Sequence, residues 1–289
     1  VMSSRGVTAV IHFAARKQVG ESVERPAWYY QQNVGGLANM LLAMETAGVK
    51  QMIFSSSAAV YGMPPIEVVP EDTDCRPINP YGETKLIGEW MMADCERAWG
   101  LRWAGLRYFN VAGAGWDDLG DMATLNLIPM VLDRLSRGET PKIFGTDYPT
   151  PDGTCIRDYI HVRDLAIAHI AALDRLAGDR EMAEHVFNVG TGKGSSVREV
   201  VSKVIAATGL DVEPEEHAAS PVTRASAAVA APSRMSERFM NDSPCQCRMG
   251  VGTRHFAAAA RRLRHEPQKY RPTMMMRTSA CAARFSTRG

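Results

Sequence analysis

Short apolar runs alternate with helical stretches in the first part of the chain, and this alternation restricts the fold more than any other feature. Runs rich in β-branched and other apolar residues indicate buried strands, here at Thr8–Ala15, Gln51–Ala58 and Leu101–Phe109. The intervening segments Pro26–Gly48 and Tyr81–Trp99 are typical of helices, with a proline opening the first and a glycine following the second. Strands that alternate with helices in this way predict an α/β fold with a parallel sheet.

Polar or small residues lie at the end of each of these strands, at Ala14–Lys17, Ser55–Ser57 and Asn110. The carboxyl ends of parallel strands lie along one edge of a sheet, and open α/β sheets bind ligands at that edge. We therefore expect these three groups of residues to converge on a ligand site.

The pattern is looser beyond Phe109 but still alternates. Helices are predicted at Asn126–Gly138, Asp164–Leu176 and Ser195–Thr208, with Asp164 and Ser195 as possible N-caps. Extended segments are predicted at Lys142–Phe144, Arg157–Val162 and Val186–Val189.

The last part of the chain has a different composition. Residues 217–289 contain 13 Lys plus Arg and 3 acidic residues, a net charge of +10, whereas residues 1–216 contain 20 basic and 29 acidic residues, a net charge of −9. The same segment has no isoleucine and a single leucine, Leu263. A segment so poor in branched aliphatic residues cannot bury a core, so we expect an unstructured tail.

Several function classes are disfavoured by composition. The six cysteines form neither a disulfide framework nor a zinc pattern, which favours a reducing, cytoplasmic compartment and gives no reason to expect a metal. No apolar run approaches the ~18 residues of a membrane span. The basic tail suggests nucleic acid, but its few aromatic residues lack the interleaving with Arg and Lys that stacking on bases requires. We expect neither a membrane nor a nucleic-acid partner.

The most informative pattern is a Y-x-x-x-K pair, Tyr81 and Lys85, preceded by three serines that end a strand. Residues four apart share one helix face, so both side chains can address one site. A nearby cation lowers the pKa of a tyrosine, which can then act as a general acid and base. Ser57 can hydrogen-bond the same substrate oxygen. The pair also arises by chance among eight tyrosines, so its weight comes from the strand and serines before it.

Five longer segments, residues 10–22, 54–62, 79–85, 106–110 and 143–165, resemble the signature segments of UDP-glucose 4-epimerases, which are extended short-chain dehydrogenases/reductases. The resemblance covers about residues 7–211 in the expected order. It implies a Rossmann-type sheet with NAD as the cofactor and a UDP-sugar as the substrate. Members of this family are commonly homodimers that pair through helices corresponding here to about 27–47 and 81–99.

The resemblance also implies roles for individual residues. Tyr81 would remove the proton of the sugar 4-hydroxyl while the hydride of C4 passes to NAD, Ser57 would bridge to the 4-oxygen, and Lys85 would hold the cofactor ribose. The 4-keto sugar would then rotate and be reduced on its other face. The positions that match cofactor contacts are Phe13, Ala14, Ala15, Lys17, Asn33 and Phe109. The positions that match UDP-sugar contacts are Asn110, Asn126, Leu127, Phe144 and Arg157.

Each of these assignments has an ordinary structural alternative. Phe13 and Phe144 suit a core, Asn33 suits a solvated helix and Arg157 a surface. We also expect His12 and His161 to be structural, and residues 90–92 to pack a helix.

The chain departs from the family pattern at both ends. No glycine-rich phosphate-binding loop precedes Thr8, so we expect the first strands of the sheet to be missing and Thr8–Ala15 to have an unpaired edge. The family's R-R-x-G-D-like segment is also not seen, although codons that encode residues 217–223 can yield Arg-Arg-Lys-Pro-Gly-Asp in another frame. The sequence therefore favours a frameshift close to Glu216.

These observations predict three regions: the C-terminal part of an NAD-binding domain at 1–115, a UDP-sugar-binding region that forms part of a smaller lobe at 116–216, and an aberrant tail at 217–289. Two alternatives stay open for the function. One is another extended nucleotide-sugar 4-epimerase or a dehydratase, although Ala58-Ala59 after Ser57 favours an epimerase over a dehydratase. The other is that the chain as written is an inactive fragment.

Overall fold

The structure is a computed structural model that describes residues 1–66, 68–116, 118–121, 123–178 and 182–219. The predicted tail lies outside these residues from 220 onward. Nine strands are found in the described ranges: β1 Val10–His12, β2 Gln51–Ser55, β3 Arg102–Tyr108, β4 Asn110–Ala112, β5 Lys142–Phe144, β6 Ile156–His161, β7 Val186–Val189, β8 Gly194–Ser196 and β9 Glu215–His217.

The helices of the described ranges alternate with these strands. They are α1 Val19–Glu24, α2 Pro26–Tyr29, α3 Gly36–Ala47, α4 Pro80–Trp99, α5 Leu127–Ser136, α6 Val162–Ala177 and α7 Val197–Thr208. A π-helical segment, Tyr30–Gly35, joins α2 to α3, and short 3-10 helices occupy Ser3–Arg5 and Ala58–Tyr61. In these residues no helix has both the length and the apolar character needed to cross a membrane.

The main sheet has four strands in the order β1-β2-β3-β7, and every neighbouring pair is parallel. The predicted α/β fold with a Rossmann-type parallel sheet is thereby confirmed. Strand β7 lies beyond residue 115, so the main sheet draws on both of the first two predicted regions. Two smaller sheets, β4-β6-β8 and β5-β9, are built from the later residues.

Helices cover both faces of the main sheet, because side chains alternate along each strand. From β2, Ile53 points into a core shared with Ala172 of α6 and Leu106 of β3. Its neighbours Met52 and Phe54 point to the opposite face and pack with residues of α3 and α4. The sheet is the middle of three layers.

Strand β1 lies at one edge of the four-stranded sheet and is shorter than the predicted run Thr8–Ala15. The expectation that this run is buried is wrong for most of it. Of its eight residues His12 alone is buried, and the exposed ones are Thr8, Ile11 (37%), Phe13 (58%), Ala14 and Ala15. An edge position leaves one side of the strand uncovered, whereas β2, between two neighbours, is buried from Met52 to Ser55.

Two predicted helix caps are also corrected. Helix α6 begins at Val162 with His161 as its N-cap, and Asp164 lies in its first turn, where a carboxylate still favours the helix dipole. Helix α7 is capped by Ser196, whose Oγ accepts the backbone N–H of Glu199. Ser195 belongs instead to β8, where it pairs with Arg157.

Candidate active site

The carboxyl ends of β1, β2 and β3 lie side by side, because the three strands are parallel neighbours. Contacts between side chains tie these ends together. The Phe13 ring lies 4.6 Å from the ring of His169 on α6, and His169 Nε2 lies 3.4 Å from Ser55 Oγ. Tyr108, at the end of β3, hydrogen-bonds Ser55.

Helix α4 brings the Y-x-x-x-K pair to this edge. Pro80 is its first residue, and Asn79 caps it by accepting the backbone N–H of Gly82 at 2.9 Å. A side chain at position 82 would not fit, since a Cβ there would lie 2.6 Å from the carbonyl oxygen of Ala59. Gly82 thus lets the first turn of α4 approach the segment that follows β2.

Three predicted catalytic residues meet at this approach. Ser57 hydrogen-bonds the Tyr81 side chain, and its Oγ also accepts the backbone N–H of Ala59 at 3.2 Å. The ammonium of Lys85 lies 5.8 Å from the centre of the Tyr81 ring and donates to the carbonyl oxygen of Ser55 at 2.7 Å. The structure therefore brings Ser57, Tyr81 and Lys85 into one constellation.

The expected lowering of the Tyr81 pKa is not found. Burial of the hydroxyl raises the pKa of Tyr81, the neighbouring Tyr108 raises it further, and the hydrogen bond from Ser57 lowers it only in part. Burial also lowers the pKa of Lys85 to about 8. The spacing of the pair predicted their proximity correctly, but burial is the largest cause for both groups and moves the pKa of each towards its neutral form.

The residues that match cofactor contacts divide into an exposed and a buried group. Phe13, Ala14, Ala15 and Lys17 are exposed directly after β1. Phe109 is buried in a small core. Because Phe13 is 58% exposed, the alternative that it is a core residue is wrong.

Asn33 is 7% exposed and is not the solvated helix residue of the alternative interpretation. Its amide accepts the backbone N–H of Arg16 at 2.7 Å and donates to the Arg16 carbonyl at 3.0 Å. It also donates to Thr84 Oγ1 at 3.0 Å. Asn33 therefore fixes the loop after β1 to the first turns of α4.

The residues that match UDP-sugar contacts come from several elements further along the chain. Asn110 is exposed at the start of β4. Asn126 occupies the N-cap position of α5, directly before Leu127, and its side chain donates to Asp121. Phe144 is 47% exposed and stacks on His217, so it is not a core residue. Arg157 is half-buried in β6, where Nη1 donates to the Ile156 carbonyl.

The remaining expectations have mixed outcomes. Met92 is fully buried in the helix packing, but Trp90 is 59% exposed. His12 is buried, and burial followed by the charge of Lys85 lowers its pKa. His161 serves as the N-cap of α6, which is a structural role.

Sequence reasoning missed a buried ion pair next to the predicted catalytic residues. Glu89 on α4 and Arg107 on β3 are 4% and 5% exposed and form two hydrogen bonds, at 2.9 and 2.6 Å. Burial by itself lowers the pKa of Arg107, but the bonds and charge of Glu89 outweigh it and raise the pKa. The one available signal was the position of Glu89, eight residues after Tyr81 on the same helix face.

The parallel sheet and the Ser-Tyr-Lys constellation define a class of protein: Rossmann-type enzymes of the short-chain dehydrogenase/reductase kind. Similarity to known proteins identifies the family within this class. The NAD dependent epimerase/dehydratase family matches residues 1–190, and the chain belongs to this family.

Relatives within the family include UDP-glucose 4-epimerases. The enzyme of Lactobacillus helveticus is 44% identical over 216 residues, covering 73% of this chain and 65% of its own length. The chain thus spans just under two thirds of this curated relative.

Solved structures agree. The UDP-glucose 4-epimerase of Stenotrophomonas maltophila, with bound NAD and formylated UDP-arabinopyranose, has a TM-score of 0.77 at 34% identity, covering 91% of this chain and 79% of that one. The enzyme of Bifidobacterium longum, in complex with NAD+ and UDP, has a TM-score of 0.76 at 34% identity, with coverages of 91% and 78%.

Proposed function

We propose that the chain carries the catalytic centre of an NAD-dependent UDP-glucose 4-epimerase, which interconverts UDP-glucose and UDP-galactose. The observation that carries the proposal is the contact of Ser57 with Tyr81 beside the Lys85 ammonium at the carboxyl edge of the sheet. Relatives with this activity share 44% identity with the chain.

Tyr81 is the proton carrier in this proposal. As the phenolate, its oxygen accepts the proton of the sugar 4-hydroxyl, and the phenol so formed returns this proton to the 4-oxygen after the 4-keto sugar has rotated. Ser57 donates a hydrogen bond to the same oxygen and keeps it in line with Tyr81. The 4-keto sugar stays bound between the two steps, so the net reaction is an epimerisation.

The residues at the strand ends fit the dinucleotide. Lys85 has three N–H donors, and among the described residues one is directed at the Ser55 carbonyl, so others can hold ribose hydroxyls. The exposed residues Phe13, Ala14, Ala15 and Lys17, together with Phe109, would line the cofactor, and Asn33 would hold their loop. When bound, NAD supplies the hydride acceptor and a positive nicotinamide ring, whose charge favours the Tyr81 phenolate.

The UDP-sugar is proposed to lie against the later part of the chain, which gives the division near residues 115 and 216 its functional meaning. Asn110, Asn126, Leu127 and Phe144 would contact the nucleotide and sugar. Arg157 carries a planar guanidinium that suits bidentate pyrophosphate binding.

The experiment is an assay of the purified chain with UDP-galactose and added NAD, in which UDP-glucose is measured. We expect turnover, and a loss of about 10²–10⁴-fold in kcat for Tyr81→Phe, because the proton carrier is removed. Tyr30→Phe, which also removes one hydroxyl, is the matched control and should keep its activity. A folded wild-type chain without turnover would refute the proposal and favour the inactive fragment, and a 4-keto-6-deoxy product would indicate a dehydratase.

We also propose a cytoplasmic homodimer. Leu42 on α3 and Trp90 on α4 are 61% and 59% exposed, and they belong to the two helices expected to pair. Burial of two such apolar side chains favours association. Light scattering of the wild type and of Trp90→Glu tests this, since the variant should be monomeric.

A further inference from the structure

Two of the proposed catalytic residues contact the carboxyl end of β2 and the residues directly after it. Lys85 donates to the carbonyl oxygen of Ser55 at 2.7 Å, and Tyr81 pairs with Ser57. Both come from the same face of α4, since they are four residues apart.

Tyr81, Lys85 and Glu89, each four residues apart on α4, form a row along one face of the helix. Glu89 contacts Ser56, the serine between Ser55 and Ser57. Ser56 Oγ donates to Glu89 Oε1 at 2.5 Å, and both residues are buried. Each of the three serines is therefore held by one member of the row.

The carboxylate of Glu89 is itself fixed from the opposite side. Arg107 donates to Oε1 through Nε at 2.9 Å and to Oε2 through Nη2 at 2.6 Å. Such a bidentate, charge-assisted pair defines the position of both oxygens. Arg107 Nη1 in turn donates to Tyr61 Oη at 2.8 Å, and Tyr61 Oη donates to Asn188 on β7 at 2.7 Å.

The serines need this support because the sheet does not hold all of them. Ser55 is the last residue of β2 to pair with β3, opposite Leu106. Ser56 and Ser57 lie beyond the ladder, and Ser56 N–H donates to the nearby Phe54 carbonyl at 2.9 Å. Ser57 has local bonds from Ala59 and Val60, and the contacts from α4 add to these.

A contribution to stability does not by itself explain the buried pair of Glu89 and Arg107. A buried ion pair seldom stabilises a fold more than apolar residues of the same volume. The bond to Ser56 supplies what apolar residues cannot, namely a fixed acceptor for the segment that carries Ser57.

We propose that Glu89 is a positioning residue: it fixes Ser56 and thereby sets the Ser57 hydroxyl against Tyr81. The proposal rests on the proposed epimerase function for its effect on turnover. Its effect on the segment 54–62 is independent of that function.

Two substitutions separate positioning from stability. Ser56→Ala removes the positioned hydroxyl and leaves the ion pair intact, so the urea midpoint should change little. Glu89→Gln keeps an oxygen acceptor for Ser56 but places an amide donor against Arg107, so the urea midpoint should fall markedly. Thr208→Val, which removes a buried hydroxyl on α7, is the matched control for Ser56→Ala.

Hydrogen exchange of the purified chain measures the positioning directly. In Ser56→Ala, amides of residues 54–62 should exchange about tenfold faster while the rest of the core is unchanged. In Glu89→Gln, measured at low temperature without denaturant, the amides of residues 54–62 should not exchange faster relative to the rest of the core. Exchange that increases evenly over the core in Ser56→Ala, or not at all, would overturn the proposal.

Turnover then links the segment to the reaction. We expect kcat to fall about tenfold in Ser56→Ala with KM for UDP-galactose within about twofold, since misplacement affects the chemical step. Glu89→Gln keeps an oxygen acceptor for Ser56, so its kcat should fall less than that of Ser56→Ala even though its stability is lower. If the wild type is active and Ser56→Ala has the same kcat, the proposal is overturned. If the wild type has no turnover, the epimerase function is refuted, and hydrogen exchange alone decides whether Glu89 positions the segment.

Discussion

Replacing Lys85 by methionine is expected to change how the stability of the protein depends on pH. Burial lowers the pKa of Lys85 from 10.5 to about 8 in the folded chain, while the unfolded chain keeps the ordinary value. At pH 7 the folded protein must hold a buried ammonium, which by linkage costs about 3 kcal/mol of folding free energy. Methionine has a similar length and carries no charge.

The sign follows from the protons bound. Between about pH 8 and pH 10.5 the unfolded chain binds a proton at Lys85 that the folded chain has released, so the contribution of this residue to stability rises with pH. From pH 7 to pH 10 the wild type should gain about 2.5 kcal/mol relative to Lys85→Met. Lys85→Met also loses the hydrogen bond to Ser55. This loss changes the free energy of unfolding by the same amount at every pH, so it does not alter how the difference between the two proteins depends on pH.

Urea unfolding of both proteins at pH 7, 8, 9 and 10 measures this difference. The charge of Lys85 also lowers the pKa of His12, but burial is the larger cause, so His12 is largely uncharged in both folded proteins over this range. Lys50→Met, which removes an exposed lysine, is the matched control and should give a nearly flat difference. A flat difference for Lys85→Met would show that the ammonium is well solvated, and it would refute the burial argument for the site.

Two further predictions concern residues that support the structure around the site. Arg107→Met leaves the carboxylate of Glu89 buried without its cation, and urea unfolding should show a loss of about 3–5 kcal/mol; a loss below about 1 kcal/mol would contradict the burial of the pair. Gly62→Ala should cost at least ~2 kcal/mol, since Gly62 has φ +67° and an added Cβ would lie 2.0 Å from the carbonyl oxygen of Arg76. Gly36→Ala, at a helical position with open space around it, is its control and should be neutral or slightly stabilising.

Much of the fold could be predicted from periodicity, because each element of the sheet is signalled locally. The strand β2 lies inside the predicted run Gln51–Ala58, and α4 begins one residue before the predicted start at Tyr81. Three residues are too few to show a period, so the short strands β4, β8 and β9 were not predicted; among the later strands of this length β5 was the exception.

The candidate site was predictable in part. Spacing on a helix placed Tyr81 and Lys85 together, but spacing carries no information on burial, and burial decides the direction of both pKa shifts. Glu89 looks like a solvated helix residue in the sequence. Only the packing of β3 against α4 brings Arg107 to it, and that contact is a tertiary one.

The residues proposed for proton transfer and for its support come almost entirely from one βαβ unit, β2–α4–β3. The positions proposed to hold the nucleotide and the sugar begin only after Phe109. The positions proposed to contact the UDP-sugar can therefore diverge towards other nucleotide sugars, provided that His169 of α6 and Asn188 of β7 keep their contacts with Ser55 and Tyr61. A chimaera that exchanges residues 110–157 for those of another family member would be expected to keep the chemistry and change the choice of sugar.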